Sequence, residues 1–188
     1  MSEIILASQS PRRRQLLEWA EVPFRIVVRP TDESYPGTLP VSDVPVHIAR
    51  QKALVVQPGL PPGTVILAAD TVVVLDERII GKPADRDDAV AILSALSGRQ
   101  HRVITGVVIR RDETETAFSD ITSVQFHTLT REQIEFYVDK YKPYDKAGAY
   151  AIQEWIGVVG IRSVAGDFYN VMGLPVSRVV RELERFKV

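Results

Sequence analysis

The chain contains no cysteine, which excludes disulfides, thiolate nucleophiles and cysteine-ligated metals and is compatible with a reducing compartment. Histidine is scarce as well: His101 and His127 lie far apart without ligand-like spacing, and both read as structural or exposed. Neither sign of charge is in excess. With 23 basic against 24 acidic residues and a net charge of −1, a general nucleic-acid or membrane-surface binder is disfavoured, so any basic site must be local. No stretch is long enough to span a bilayer, and the apolar run at the N-terminus (Ile4, Ile5, Leu6, Ala7) is too short for a signal peptide; a soluble cytoplasmic protein is expected. There is no G-x-x-x-x-G-K-[ST] loop, no G-x-G-x-x-G and no G-x-S-x-G, which disfavours P-loop NTPases, Rossmann enzymes and serine hydrolases. Repeats, low-complexity tracts and linkers are also missing, so residues 1–188 are expected to form one domain.

What is present begins with Ile4–Leu17. The apolar run forms a short buried strand, Ser8, Gln9 and Ser10 end it, and a helix follows with Ser10 as N-cap and Pro11 at its first position. Three arginines, Arg12, Arg13 and Arg14, then fall where the positive end of the helix dipole repels cations. An anionic ligand shared by backbone N–H groups and guanidinium forks resolves that conflict, and solvated arginines are the plain alternative.

Phe24, Ile26 and Val28 alternate with polar residues as a half-buried strand, and a Pro/Gly/Ser/Asp-rich loop follows, carrying Asp32 and Glu33. From about Ser42 to Gln57 a helix is expected with Ala49, Ala53 and Val56 on its buried stripe. Lys52 falls inside that stripe, where an ammonium must either snorkel out or meet an anion. Thr64–Leu75 is an apolar strand broken only by Asp70 and Thr71. A carboxylate there implies a metal, a basic partner or a catalytic task, because unpaired burial costs several kcal/mol.

The remainder alternates strand and helix. Asp76-Glu77 makes a turn, Ile79 and Ile80 return, and Gly81-Lys82-Pro83 follows. Asp85 caps a helix that stops at Ser97-Gly98, and Thr130 with Gln133 forms a capping box for another. His101–Arg111 and Thr116–Leu129 are strand candidates around an Asp112-Glu113 turn, with Thr105-Gly106 marking a bulge or a close backbone approach. Around Asp145, Lys146 and Gln153, small residues allow close approach beside an acid, a base and an amide. Ile156–Val164 reads as a strand, and a closing helix buries Val176, Val179, Val180 and Leu183.

The polar residues left without a structural task combine several cations with a few carboxylates. That mixture suits a polyphosphate with a hard divalent ion: oxygen ligands for Mg²⁺ or Mn²⁺, and Lys/Arg for the phosphates.

In order along nearly the whole chain, S-x-S-P-R-R with L-L, A-D-T-V-V, G-K-P, S-G before H-x-V-x-T-G-V, D-K-A-G-A-Y-x-I-Q and G-L-P resemble the Maf family of nucleoside triphosphate pyrophosphatases. The resemblance implies an α/β fold with a long twisted mixed sheet flanked by helices and a cleft between two lobes. It implies hydrolysis of a nucleoside triphosphate to monophosphate and pyrophosphate with a divalent metal. Asp70 would be the proton acceptor, Glu33 would join it at the metal, and Ser8, Ser10, Arg13, Lys52 and Lys82 would hold phosphates. Arg12, Thr71 and Gln153 match the members that act on dTTP and UTP, modified pyrimidine nucleotides included, and Asp145 and Lys146 are further site candidates. Lys142 and Ala151 depart from the family pattern, and Glu154-Trp155 replaces a small-residue stretch, which bears on the base pocket. The resemblance also suggests a homodimer, with the nucleotide as the partner and neither nucleic acid nor membrane. A non-catalytic nucleotide-binding regulator of septum formation is the alternative, but a binder has no need of a carboxylate at the centre of a strand.

Overall fold

Short apolar runs cut by turn residues become strands, and runs with apolar residues three and four apart become helices. The computed structural model describes residues 3–188. Its elements are β1 (Ile4–Leu6), α1 (Pro11–Trp19), β2 (Phe24–Ile26), α2 (Val44–Val56), β3 (Val65–Leu75), β4 (Arg78–Ile80), α3 (Arg86–Leu96), β5 (Gln100–Arg111), β6 (Thr114–Phe126), α4 (Arg131–Tyr141), α5 (Trp155–Gly160), β7 (Ile161–Ala165), α6 (Phe168–Met172) and α7 (Val176–Glu184). Among the described residues the strands form one sheet of seven, ordered β2-β1-β3-β5-β6-β7 with β4 paired to β3. The sheet is mixed: β1 runs parallel to β2 and β3, whereas the β3–β4 and β6–β7 pairs are antiparallel. This is the expected α/β fold.

The chain divides into two compact units. The first holds the sequence up to Thr71, Thr105–Asp120 and Gly173–Val188. Its core is where the stripe predicted for α2 meets the sheet: Ala49, Ala53 and Val56 pack with Ile5, Ala7, Ile66, Ala68 and Val108. Full burial of a Val or Ile contributes about 1.5–3 kcal/mol, whereas the alanines contribute mainly by letting helix and sheet approach closely. Gly106 takes this to the limit, since a Cβ there would lie 2.2 Å from the Val46 nitrogen. The close approach expected at Thr105-Gly106 is therefore with the start of α2. The strand around Phe24 is shorter than expected and lies at the sheet edge, so Ile26 is exposed and Val28 lies beyond it.

The second unit holds Val72–Ile104 and Ile121–Met172. The β3–β4 hairpin turns at Asp76 and Glu77, with φ of 48° and 61°, the backbone handedness that two-residue hairpins need. Asp85 caps α3 by accepting from the Asp88 N–H at 2.9 Å. The Thr130–Gln133 capping box forms at α4, and α3 and α4 pack together. One expected strand is wrong: within Ile156–Val164 only the second part is β7, and the first part is the short helix α5. Val158 and Val159 suggested a strand, but α5 buries Ile156 and Gly160 four apart and leaves both valines exposed. Helical spacing outweighs β-branched propensity here.

Candidate active site

Two clusters in the first unit contain most of the residues singled out from the sequence. The first is built on Asp70. Along β3 every residue is buried except Asp70 and Thr71, which are half-buried, so the strand opens where its polar pair falls. Lys52 approaches from α2, one turn before Val56, and its Nζ lies 2.7 Å from Asp70 Oδ1 and 2.9 Å from Glu33 Oε1. The lysine in the buried stripe has met an anion rather than snorkelled. Its side chain is 18% exposed and that of Asp70 15%, against 54% for Glu33. Glu33 can therefore exchange this contact for another at little cost, while Lys52 and Asp70 are held.

The second cluster is built on Arg13. Ser10 caps α1, its Oγ accepting from the Arg13 N–H at 3.4 Å, and Pro11 occupies the first turn as expected. The Arg13 side chain turns inward and is buried. Its Nε donates to the Gly173 carbonyl at 2.8 Å, one terminal nitrogen to Ser8 Oγ at 3.0 Å, and the other to Thr71 Oγ1 at 3.0 Å. Thr71 also shares a hydrogen bond of 2.9 Å with the buried Thr105 hydroxyl. Burial pulls the guanidinium below its ordinary value; Asp70 raises it, Arg12 lowers it and Glu33 raises it. Arginine stays protonated in proteins, so the result is a fixed cation beside the Asp70 carboxylate. The two clusters are joined through the adjacent residues Asp70 and Thr71, and the β1–β3 register, Leu6 opposite Leu67, brings the chain after β1 alongside this stretch. Arg14 turns outward to a surface pair with Glu18 at 3.4 Å.

In the second unit, Lys82 is exposed on the loop after β4. That loop is tied to residues 147–149 by the Gly148 N–H, which donates to the Gly81 carbonyl at 3.1 Å. Gly148 has φ +69°, and a Cβ there would come within 2.8 Å of Val73 Cγ2, so only glycine suits that position. Lys146 is buried, with Nζ 2.8 Å from Asp145 Oδ1 and 3.7 Å from Glu154 Oε1. Gln153 is exposed.

Sequence reasoning missed Thr105 as a site residue, although Thr105-Gly106 stood out as a break in its strand. It also missed Tyr137, whose apolar-stripe position gave no hint that its hydroxyl donates to Glu154 Oε2. Among the described residues no group of three or more His, Asp or Glu gathers as a metal cage.

The family model described as Maf-like protein matches residues 3–186. Similar curated proteins named dTTP/UTP pyrophosphatase occur in Bacteroides thetaiotaomicron, 45% identical over 97% of this chain and 95% of that one, and in Parabacteroides distasonis, 46% identical over 98% and 96%. A third, from Cytophaga hutchinsonii, is 48% identical over 98% of this chain and 84% of that one. Among solved structures, the Staphylococcus aureus Ham1 protein matches with a TM-score of 0.45 and 13% identity over 66% of this chain and 72% of that one.

Proposed function

The chain belongs to the Maf family, and from that premise we propose that it is a nucleoside triphosphate pyrophosphatase hydrolysing dTTP and UTP, modified pyrimidine nucleotides included, to the monophosphate and pyrophosphate. The match over residues 3–186 supports reading the two units as one catalytic domain. The observation that carries the chemistry is the Lys52 ammonium held between Asp70 and Glu33 at 2.7 and 2.9 Å. It holds a half-buried carboxylate in place at the opening in β3.

In this reading Asp70 accepts the proton of the attacking water. Lys52 occupies Oδ1, so Oδ2 is the oxygen left for that proton, and a well-placed base of this kind contributes about 10²–10⁴ in rate. Negative charge grows on the phosphate oxygens as the bond to the leaving pyrophosphate breaks, and fixed cations stabilise it without reorganising. Arg13, Lys52 and Lys82 supply that charge, and Ser8 and Ser10 supply hydroxyls near the start of α1. Three of the five Arg13 N–H groups are already engaged, so its contribution is mainly its field. Asp145 and Lys146 are further site candidates, and Arg12, Thr71 and Gln153 select the base. An amide suits that task because it offers a donor and an acceptor to the imide edge of thymine or uracil.

A divalent metal fits this donor set. Asp70 and Glu33 are hard oxygen ligands, both paired with the Lys52 ammonium, and Mg²⁺ typically takes one or two carboxylates together with substrate phosphates, with no need of a protein cage. Bound there, the ion would neutralise phosphate charge. The names of the curated relatives favour the enzyme over a non-catalytic regulator. No helix among the described residues is long and apolar enough to cross a membrane.

The test is product analysis. Purified protein with Mg²⁺ or Mn²⁺ and a panel of nucleotides should release pyrophosphate and monophosphate from dTTP and UTP. Orthophosphate as the only product, or binding without turnover in either metal, would refute it.

A further inference from the structure

Gln153 lies in a tight turn. The Glu154 N–H donates to the Ala151 carbonyl at 3.1 Å, which places Ile152 and Gln153 at the two central positions of a four-residue turn. Ile152 is buried and Gln153 is exposed, so the turn is anchored on one side and presents its amide on the other. A turn ending in an exposed amide is free to reorient unless its ends are held. Both ends here are held by one atom. The buried Tyr137 hydroxyl of α4 accepts from the Ala151 N–H at 3.2 Å and donates to the Glu154 carboxylate.

The surrounding charges fix the direction of that hydroxyl. Glu154 gives Oε2 to Tyr137 and points Oε1 toward Lys146 at 3.7 Å, and Lys146 is in turn paired with Asp145 at 2.8 Å. The phenol O–H donates to Glu154 while the phenol oxygen accepts from the Ala151 N–H, so the one hydroxyl ties the two positions together. The residue entering the turn is fixed as well, because the Tyr150 hydroxyl shares a 2.7 Å hydrogen bond with His101 Nε2. A close approach completes the frame: a Cβ on Gly157 would come within 1.7 Å of the Ile152 carbonyl oxygen.

We propose that Tyr137 is a positioning residue for nucleotide selection: its hydroxyl, oriented by Glu154, clamps the Ala151–Glu154 turn so that Gln153 meets a pyrimidine imide in one presentation. This rests on the reading of Gln153 as base-selecting. A mobile turn would vary the point and direction from which the Gln153 side chain extends toward the base; a clamped one holds them constant.

Steady-state kinetics with dTTP, UTP and dATP, measured on wild type and single variants, test the idea. Tyr137→Phe keeps the ring that stacks on Tyr141 with centroids 5.0 Å apart and removes only the hydroxyl. It should raise KM for dTTP and UTP about tenfold, lower the dTTP-over-dATP ratio of kcat/KM about tenfold and change kcat little. Glu154→Leu should behave alike, and Glu154→Gln, which keeps an acceptor oxygen, should recover most of the ratio. If Tyr137→Phe does not fold, Glu154→Leu decides. A wild-type ratio in the decisive variant overturns the proposal, as does a loss confined to kcat. Gln153→Ala separates the two layers. If it lowers the ratio and Tyr137→Phe does not, the clamp alone is wrong; if it leaves the ratio intact, the reading of Gln153 is wrong and the clamp falls with it.

Discussion

At the scale of single residues, the site depends on one lysine holding two carboxylates of unequal freedom. Asp70 is largely enclosed and Glu33 is mostly exposed, yet both lie within 3 Å of the same Nζ. Asparagine at position 70 keeps an oxygen for Lys52 but cannot take a proton from water. Asp70→Asn should therefore lower kcat by about 10²–10⁴ while the denaturation midpoint hardly moves, as read by pyrophosphate release and urea unfolding on the same preparation. A loss of less than tenfold would remove Asp70 as the proton acceptor. Lys52 and Asp70 were legible in the sequence because each is a charge set in an apolar pattern, an anomaly that a one-dimensional reading detects. Thr105 and Tyr137 were not, because a threonine in a strand and a tyrosine on a helical stripe conform to their patterns. Only the partners brought by folding, Thr71 and Glu154, reveal what their hydroxyls do.

Elements are positioned by the same logic one level up. The start of α2 lies against β5 at Gly106, where a built Cβ would lie 2.2 Å from the Val46 nitrogen and 2.3 Å from the Pro45 carbonyl carbon. These are backbone atoms and cannot swing away, so Gly106→Ala must displace the helix that carries Lys52. A cost of about 1–3 kcal/mol or more in stability is expected, the usual range for overpacking, together with lower turnover. Urea unfolding and activity check the two parts, and a stable, fully active variant would show that α2 tolerates the shift. Caps and turns were readable in advance because they are local: Ser10, Asp85 and the Thr130–Gln133 box each act within four residues. The stretch from Ile156 to Gly160 was misread as strand because its helical form depends on non-local packing, with Gly157 admitting the Ile152 carbonyl and Ile156 buried.

For the whole molecule, the response to acid separates a buried imidazole from the surface carboxylates. His101 lies against Phe126 and Tyr150 with ring centroids 5.2 and 5.4 Å away, and burial lowers its pKa from 6.5 to about 4. Between those values the unfolded chain binds a proton that the folded chain refuses, so stability rises with pH across that window and falls as acid is added. The contribution is fully present above pH 6.5 and lost by about pH 4, and a displacement of this size is worth about 3 kcal/mol. The shifted aspartates act elsewhere. Asp32, held by Ser34, and Asp139, held by Arg86, lie below their ordinary 3.8, so what they contribute is lost only as pH falls further. Urea unfolding of the full chain at pH 7 and pH 4.5 should therefore show a loss of roughly 2–3 kcal/mol in the wild type. His101→Gln should show much less, whatever its stability at pH 7, because glutamine does not titrate. Equal losses in the two proteins would mean that His101 is protonated in the folded state, and the acid sensitivity would have to be sought among the carboxylates instead.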